Sequence, residues 1–297
     1  MNLDRHLISI RARTFPGLCD LALQVVRSFL PTLLLALAVT AVPLAVVNYL
    51  ICEMPVWSSN YSYGNPARGW MQLGLVYIES QIGTVVITAW LGRAMFYDQP
   101  TLRASIYDVL HASFRVIWVH TFLRPVGFMF LLLWANSGSN SQNELEMVIV
   151  FGLLLLLIIG AIRTFRPFAS EIVILEKTPI LMMGKEKKKV AVGYSKRSQN
   201  LHGFASSVVL SRTILLGMVA GLMTAGIYGM IMFSDGVLAI DLGGMGWARQ
   251  LFWAIALWLV AGFSAVVRFL SYIDLRARQE GWDAELKVKA EAYRMVV

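Results

Sequence analysis

Charge is scarce in this sequence. Asp, Glu, Lys and Arg make up 15% of its 297 residues, against about 25% in an ordinary soluble domain. Cysteine is rarer still, with only Cys19 and Cys52. They flank the first long apolar run, so they are expected to face opposite compartments and not to pair. A disulfide scaffold is excluded. The four histidines, His6, His111, His120 and His202, are scattered and form no HExxH. GxSxG and P-loop motifs are missing, and Gly243-Gly244-Met245-Gly246 lacks the preceding strand of a dinucleotide fingerprint. Nothing therefore supports a nucleophile–base pair, a metal site or a cofactor, and the expectation is a protein that is not an enzyme.

Apolar residues are what the sequence has in quantity, at 57% hydrophobic and a mean hydropathy of +0.63. A soluble core cannot hide so much apolar surface, and a disordered chain would not carry it. Lipid has to be the solvent for much of the molecule. The fold class expected is all-α, a polytopic transmembrane bundle of about six spans with cytoplasmic amphipathic terminal helices.

A crossing helix needs about 20 mostly apolar residues, because backbone polar groups in lipid must be satisfied internally. Stretches from about Phe29 to Ile51, Trp70 to Phe96, Ala112 to Trp134, Met147 to Phe165, Ser206 to Phe233 and Gln250 to Tyr272 qualify. The second and third carry charged residues and stand or fall as a pair. The first run is too long and starts too late for a secretion signal, whose apolar region is about 7–15 residues. Three regions follow: an interfacial segment over 1–28, a membrane domain over 29–272 and a cytoplasmic helix over 273–297. In the first, Leu18, Leu21, Val25 and Phe29 recur at helical spacing after Pro16. Pro43 and Pro125 are expected kinks.

Basic residues orient the chain. Of its 26 Lys and Arg, all but Arg68, Arg124 and Arg249 fall on one side of these spans. The positive-inside rule makes that side, and both termini, cytoplasmic. Trp57, Trp70, Trp134, Trp247 and Trp253 sit near the outer ends, as an interfacial belt requires. The net charge of +8 is then a cytoplasmic-face property that favours anionic lipid or an acidic protein partner over nucleic acid. Lys185, Lys187, Lys188 and Lys189, in the one long polar loop at 166–205, are candidate contacts for anionic headgroups or a partner. They read equally as a solvated run that fixes topology.

Ionisable groups inside a membrane are costly and face the bundle interior or one another. Glu79 and Gln81 in the second span, with His120 and Arg124 in the third, form such a candidate cluster. Glu79 and Arg124 are at similar depth, so they are expected to pair. The pair reads either as a coupling or proton site or as a structural contact. In the fifth span Gly217, Gly221, Ala225 and Gly229 fall every fourth residue, a small-residue ladder expected to pack closely against another helix of the chain.

The end of the last span reads Phe269, Tyr272, Asp274, Arg276, Arg278, Glu280, Gly281, Trp282, Asp283 and Glu285 in the pattern F-x-x-Y-x-D-x-R-x-R-x-E-G-W-D-x-E. It resembles the end of a bacterial family of multi-pass proteins related to the membrane domain of glycerophosphodiester phosphodiesterases. RPFASEIVILEKTP and YSKRSQNLH, in the 166–205 loop, are similar to stretches of uncharacterised relatives. The catalytic barrel of the named enzymes carries an H-R-G motif, and this chain has no His-Arg dipeptide. The resemblance implies a membrane module of the bacterial inner membrane without that activity.

Beyond Tyr272 the pattern predicts a helix with Leu275, Trp282, Leu286 and Tyr293 on one stripe. That stripe is expected to dock on the 166–205 loop, with Arg166 and Lys177 meeting Asp274, Glu280 or Asp283. Three functions are open: a non-catalytic scaffold recruiting a protein at the cytoplasmic face, a transporter or channel component built on the polar cluster, and a lipid-handling enzyme.

Overall fold

The structure is a computed structural model, and it describes residues 13–53, 66–96, 100–121, 167–176, 193–203, 206–237 and 246–279. Among them the chain is wholly helical. In order come α1 (Phe15–Glu53), α2 (Pro66–Gly83), α3 (Val85–Phe96), α4 (Leu102–Thr121), α5 (Ala169–Leu175), α6 (Tyr194–Gly203), α7 (Ser206–Val237) and α8 (Gly246–Gln279). Among the described residues four stretches are long and apolar enough to cross a membrane: Phe15–Leu50, Gln72–Met95, Ser206–Met230 and Leu251–Gln279.

The first helix starts earlier than hydropathy alone suggests. Leu18, Ala22 and Val25 are buried in the main core, so the segment ahead of Phe29 is part of the bundle. The backbone of α1 leaves helical angles at Phe29 (φ −123°, ψ 23°), and not at Pro43 as expected. The cause is Pro31, which lacks an N–H and whose ring crowds the carbonyl four residues back. The bend sets the Phe29 ring edge-on against Trp90 of α3 at 5.2 Å between centroids.

The second apolar stretch is two helices, α2 and α3, meeting at Thr84. Close approach explains the glycine there. A Cβ at Gly83 would lie 2.2 Å from the buried Trp258 ring of α8, and the Gly83 carbonyl accepts a hydrogen bond from the Thr40 hydroxyl of α1. Gly83→Ala forces that ring aside and is expected to cost about 1–3 kcal/mol by overpacking. Thermal melting in detergent beside Gly221→Ala, where a Cβ meets nothing within 4 Å, checks this.

Of the third stretch only residues 112–121 are described. They belong to α4, which begins at Leu102, well ahead of Ala112. It buries Ala112, Val116 and Val119 and leaves Tyr107, Leu110, Phe114 and Ile117 exposed. The rest of that stretch and the whole fourth one lie outside the described residues.

α8 is the central element, packed against α1, α2, α3 and α7. α7 packs on it, with the Tyr228 ring edge-on to Trp253 at 5.0 Å, and Val209 and Leu216 join the main core. Gly217, Gly221, Ala225 and Gly229 all lie exposed on α7. No described atom comes within 4 Å of a Cβ built at any of the three glycines. The contact with α8 is filled by larger side chains on another face, so the small-residue ladder is not used in it.

Candidate functional site: an ion-pair network at one end of the bundle

Helix length places the site. At about 1.5 Å per residue, the 34 residues of α8 reach about 50 Å, while the hydrocarbon core is about 30 Å thick. The excess lets the last turns of α8 stand beyond the apolar layer beside the start of α1, the start of α7, and the short helices α5 and α6. On α8, Arg268, Tyr272 and Arg276 recur every fourth residue and so share a face.

That face meets α5 and its C-terminal end. Arg268 Nε donates to Glu171 Oε1 at 2.6 Å, and the Glu171 side chain has no solvent exposure. One turn on, the Tyr272 hydroxyl donates to Glu176 Oε1 at 2.5 Å. Arg276 Nη1 stands 3.6 Å from that oxygen, with its guanidinium 5.8 Å from the Tyr272 ring centroid. Arg197 of α6 completes the set, forking onto Glu176 through Nε at 2.6 Å and Nη2 at 3.0 Å. Such bidentate charged bonds fix orientation as well as adding energy.

Apolar and neutral contacts hold the same elements. Phe168, just ahead of α5, stacks on His202 at 5.6 Å and tilts against Tyr272 at 5.8 Å. His120 Nε2 and Ser170 Oγ, both buried, are 3.0 Å apart. α5 can sit this close because residue 92 is glycine: a Cβ there would lie 2.2 Å from Leu175 Cδ2. Gln279 Nε2 donates to the Leu201 carbonyl at 2.9 Å and closes α8 onto α6.

A second centre forms around Asp274. Its carboxylate takes Arg212 Nη1 of α7 at 2.7 Å, Arg278 Nε at 3.1 Å and the backbone N–H of Arg13 at 3.0 Å. Arg212 and Arg278 each also donate to the Arg13 carbonyl at 2.9 Å. The start of α1 is thereby tied to α7 and α8. At the same end Arg93 of α3 donates twice to one oxygen of Asp108 on α4, at 2.8 and 2.6 Å.

Segments far apart in the sequence thus converge. Of the C-terminal pattern, Phe269 and Tyr272 are fully buried and Asp274, Arg276 and Arg278 are in the network, while Glu280, Gly281, Trp282, Asp283 and Glu285 lie outside the described residues. Among the described residues the loop and the end of α8 meet through carboxylates of the loop and cations of the helix; the expected contacts of Arg166 and Lys177 lie outside them. Arg166, Lys177, Lys185, Lys187, Lys188 and Lys189 lie outside the described residues.

The intramembrane polar cluster divides. Glu79 Oε2 accepts from Asn48 Nδ2 of α1 at 2.8 Å, Gln81 is buried in α2, and His120 bonds Ser170 at the ion-pair end. Arg124 is outside the described residues. Asn48 was missed in the sequence because one Asn near the end of an apolar run carries no pattern. Arg212 and Arg268 serve in the sequence only as orientation signals, although each is the one charge within its expected span, Ser206 to Phe233 and Gln250 to Tyr272.

No family model, curated protein or solved structure matches the chain. What the helices define is a class, a helical membrane protein with four apolar stretches long enough to cross among the described residues.

Proposed function

We propose that the protein is a non-catalytic integral membrane module that scaffolds or recruits a protein partner at the cytoplasmic face of a bacterial inner membrane. The observation that carries this reading is the convergence of α5, α6, α7 and α8 with the start of α1 in one ion-pair network. Its described charged side chains pair across helices, which suits a rigid docking platform. The remaining two of the six proposed spans fall over 112–165. The family likeness of the C-terminal pattern is kept as part of the proposal, since that pattern and the two loop segments occupy one place.

Both termini are proposed to be cytoplasmic, because the network lies at the end rich in Lys and Arg. Reporter fusions at Val297 and in the 235–247 loop are expected to report opposite sides. The same side for both defeats the topology.

Co-purification from gently solubilised membranes tests the scaffold. A partner that is retained by the intact protein and lost from Arg197→Gln, with insertion preserved, supports it. The transport reading is favoured by one observation, the Asn48–Glu79 bond between α1 and α2. If that reading holds, reconstituted protein conducts an ion or proton and Glu79→Gln abolishes the flux.

A further inference from the structure

The stretch Gln72–Met95 is apolar enough to cross a membrane, yet it is broken within its length, where α2 ends at Gly83 and α3 starts at Val85. Irregular backbone at membrane depth is tolerated only where protein covers it or it lines a cavity. Here protein covers it: Thr84, Val85, Val86 and Ile87 are buried, and the Trp258 ring of α8 packs on Gly83.

In an unbroken helix each carbonyl accepts from the N–H four residues on. The Thr84 N–H bonds the Ser80 carbonyl at 3.1 Å, and the Thr88 N–H bonds the Thr84 carbonyl at 3.2 Å. Between these bonds lies the Gly83 carbonyl, whose helical donor would be the Ile87 N–H. It accepts instead from the Thr40 hydroxyl of α1. Thr40 has a second acceptor within reach, the Leu37 carbonyl of its own helix at 3.3 Å. Each group thus has an alternative. The carbonyl can take Thr40 or Ile87, and the hydroxyl can give to Gly83 or Leu37. Exchanging one set for the other keeps both groups bonded, which avoids the penalty of a buried polar group left without a partner. Hydroxyls beside the break weaken the helical ladder further. Ser80 Oγ donates to the Tyr77 carbonyl at 3.0 Å and Thr84 Oγ1 to the Ser80 carbonyl at 2.6 Å, and such back-bonding bends helices.

We infer that Gly83–Thr84 is a hydrogen-bond switch with two settings: Thr40 on the Gly83 carbonyl holds α2 and α3 as two helices, and Ile87 on it joins them into one. The switch stands between contacts at either end of the stretch. α2 brings Glu79 to Asn48 of α1, while α3 seats α5 at Gly92 and holds α4 through Arg93 and Asp108. Joining α2 and α3 re-aims α3, and with it the seat of α5 in the ion-pair network. The device needs no protein partner, so it stands apart from the scaffold reading.

Pulsed electron paramagnetic resonance on the full chain in lipid nanodiscs tests it. Cys19 and Cys52 are replaced by Ser, and spin labels are placed at Gly74→Cys on α2 and Met95→Cys on α3. A Cβ at Gly74 meets nothing within 4 Å, so a label fits there. Thr40→Val should fold and lengthen the distance toward about 30 Å, the span of an unbroken helix between those positions. Thr40→Ser keeps the hydroxyl and should keep the parent distance. An unchanged or shorter distance in Thr40→Val overturns the inference, because packing on Trp258 would then set the break alone. Thr40→Ala guards against a variant that misfolds through shape. If both Thr40→Val and Thr40→Ala fail to fold while Thr40→Ser folds, the Gly83 carbonyl has no second donor, and the switch is equally overturned.

Discussion

Arg268→Leu is expected to destabilise the protein by about 3–5 kcal/mol, the usual cost of removing one partner from a buried pair. Glu171 has no exposed side-chain surface, and its Oε1 accepts from Arg268 Nε at 2.6 Å. Without the guanidinium, a carboxylate remains among Phe168, Ile172 and neighbouring buried groups with neither water nor a cation. The same physics predicts recovery. In Glu171→Leu with Arg268→Leu both desolvation costs vanish together, and the double variant should melt within about 1 kcal/mol of the parent, since apolar replacement of a whole buried pair is often neutral or better. Chemical unfolding in detergent of the parent, both single variants and the double variant measures the coupling. Additive losses would mean that the two charges act separately and that the short contact adds little.

The pairing could have been read from charge count, and was not. The 166–205 loop has only three carboxylates, Glu171, Glu176 and Glu186, among many basic residues. Arg268 and Arg276 stand two helical turns apart on α8 with Tyr272 between them. Cations on a helix face need carboxylates opposite, and the loop's were the available ones. The loop's abundant Lys and Arg suit the positive-inside rule better than tertiary pairing. Abundance marks the side of the membrane. Scarcity marks the contacts.

Hydropathy was more informative about which segments are apolar than about what each apolar face touches. It located α1, the α2–α3 pair, α7 and α8 because period and length are local properties. It misjudged Gly217, Gly221 and Gly229 against Gly83 and Gly92, because a helix contact depends on the partner. A four-residue ladder looked like a seam yet lies exposed, whereas Gly83 and Gly92, with no repeat around them, are where Trp258 and Leu175 press against the backbone. The expected pairing of Glu79 with Arg124 lies outside the described residues, and depth along two helices says nothing of Asn48 on a third, which donates to Glu79.

Asp274 makes the strongest demand of any residue in the network, and its removal should produce the most localised failure. The carboxylate is buried and holds Arg212, Arg278 and the Arg13 N–H together. Asp274→Leu leaves two guanidiniums facing each other across an apolar side chain, with the α1 backbone donor unsatisfied. Each uncompensated buried charge contact costs several kcal/mol, so a loss of about 3–5 kcal/mol is expected. Asp274→Asn should lose less, because its amide oxygen still accepts from Arg13 even though the negative charge is gone. The order of the two variants separates charge from hydrogen bonding. Amide hydrogen exchange then reports where the damage falls. Residues 13–20 should lose protection first, since the Arg13 N–H and carbonyl contacts pin the start of α1 to α7 and α8. The segment around Thr40 and Gly83, held by its own contacts deeper in the bundle, should keep its protection. Equal loss along the whole of α1 would show that the bundle opens as one unit and that the Asp274 centre is not a separate clasp.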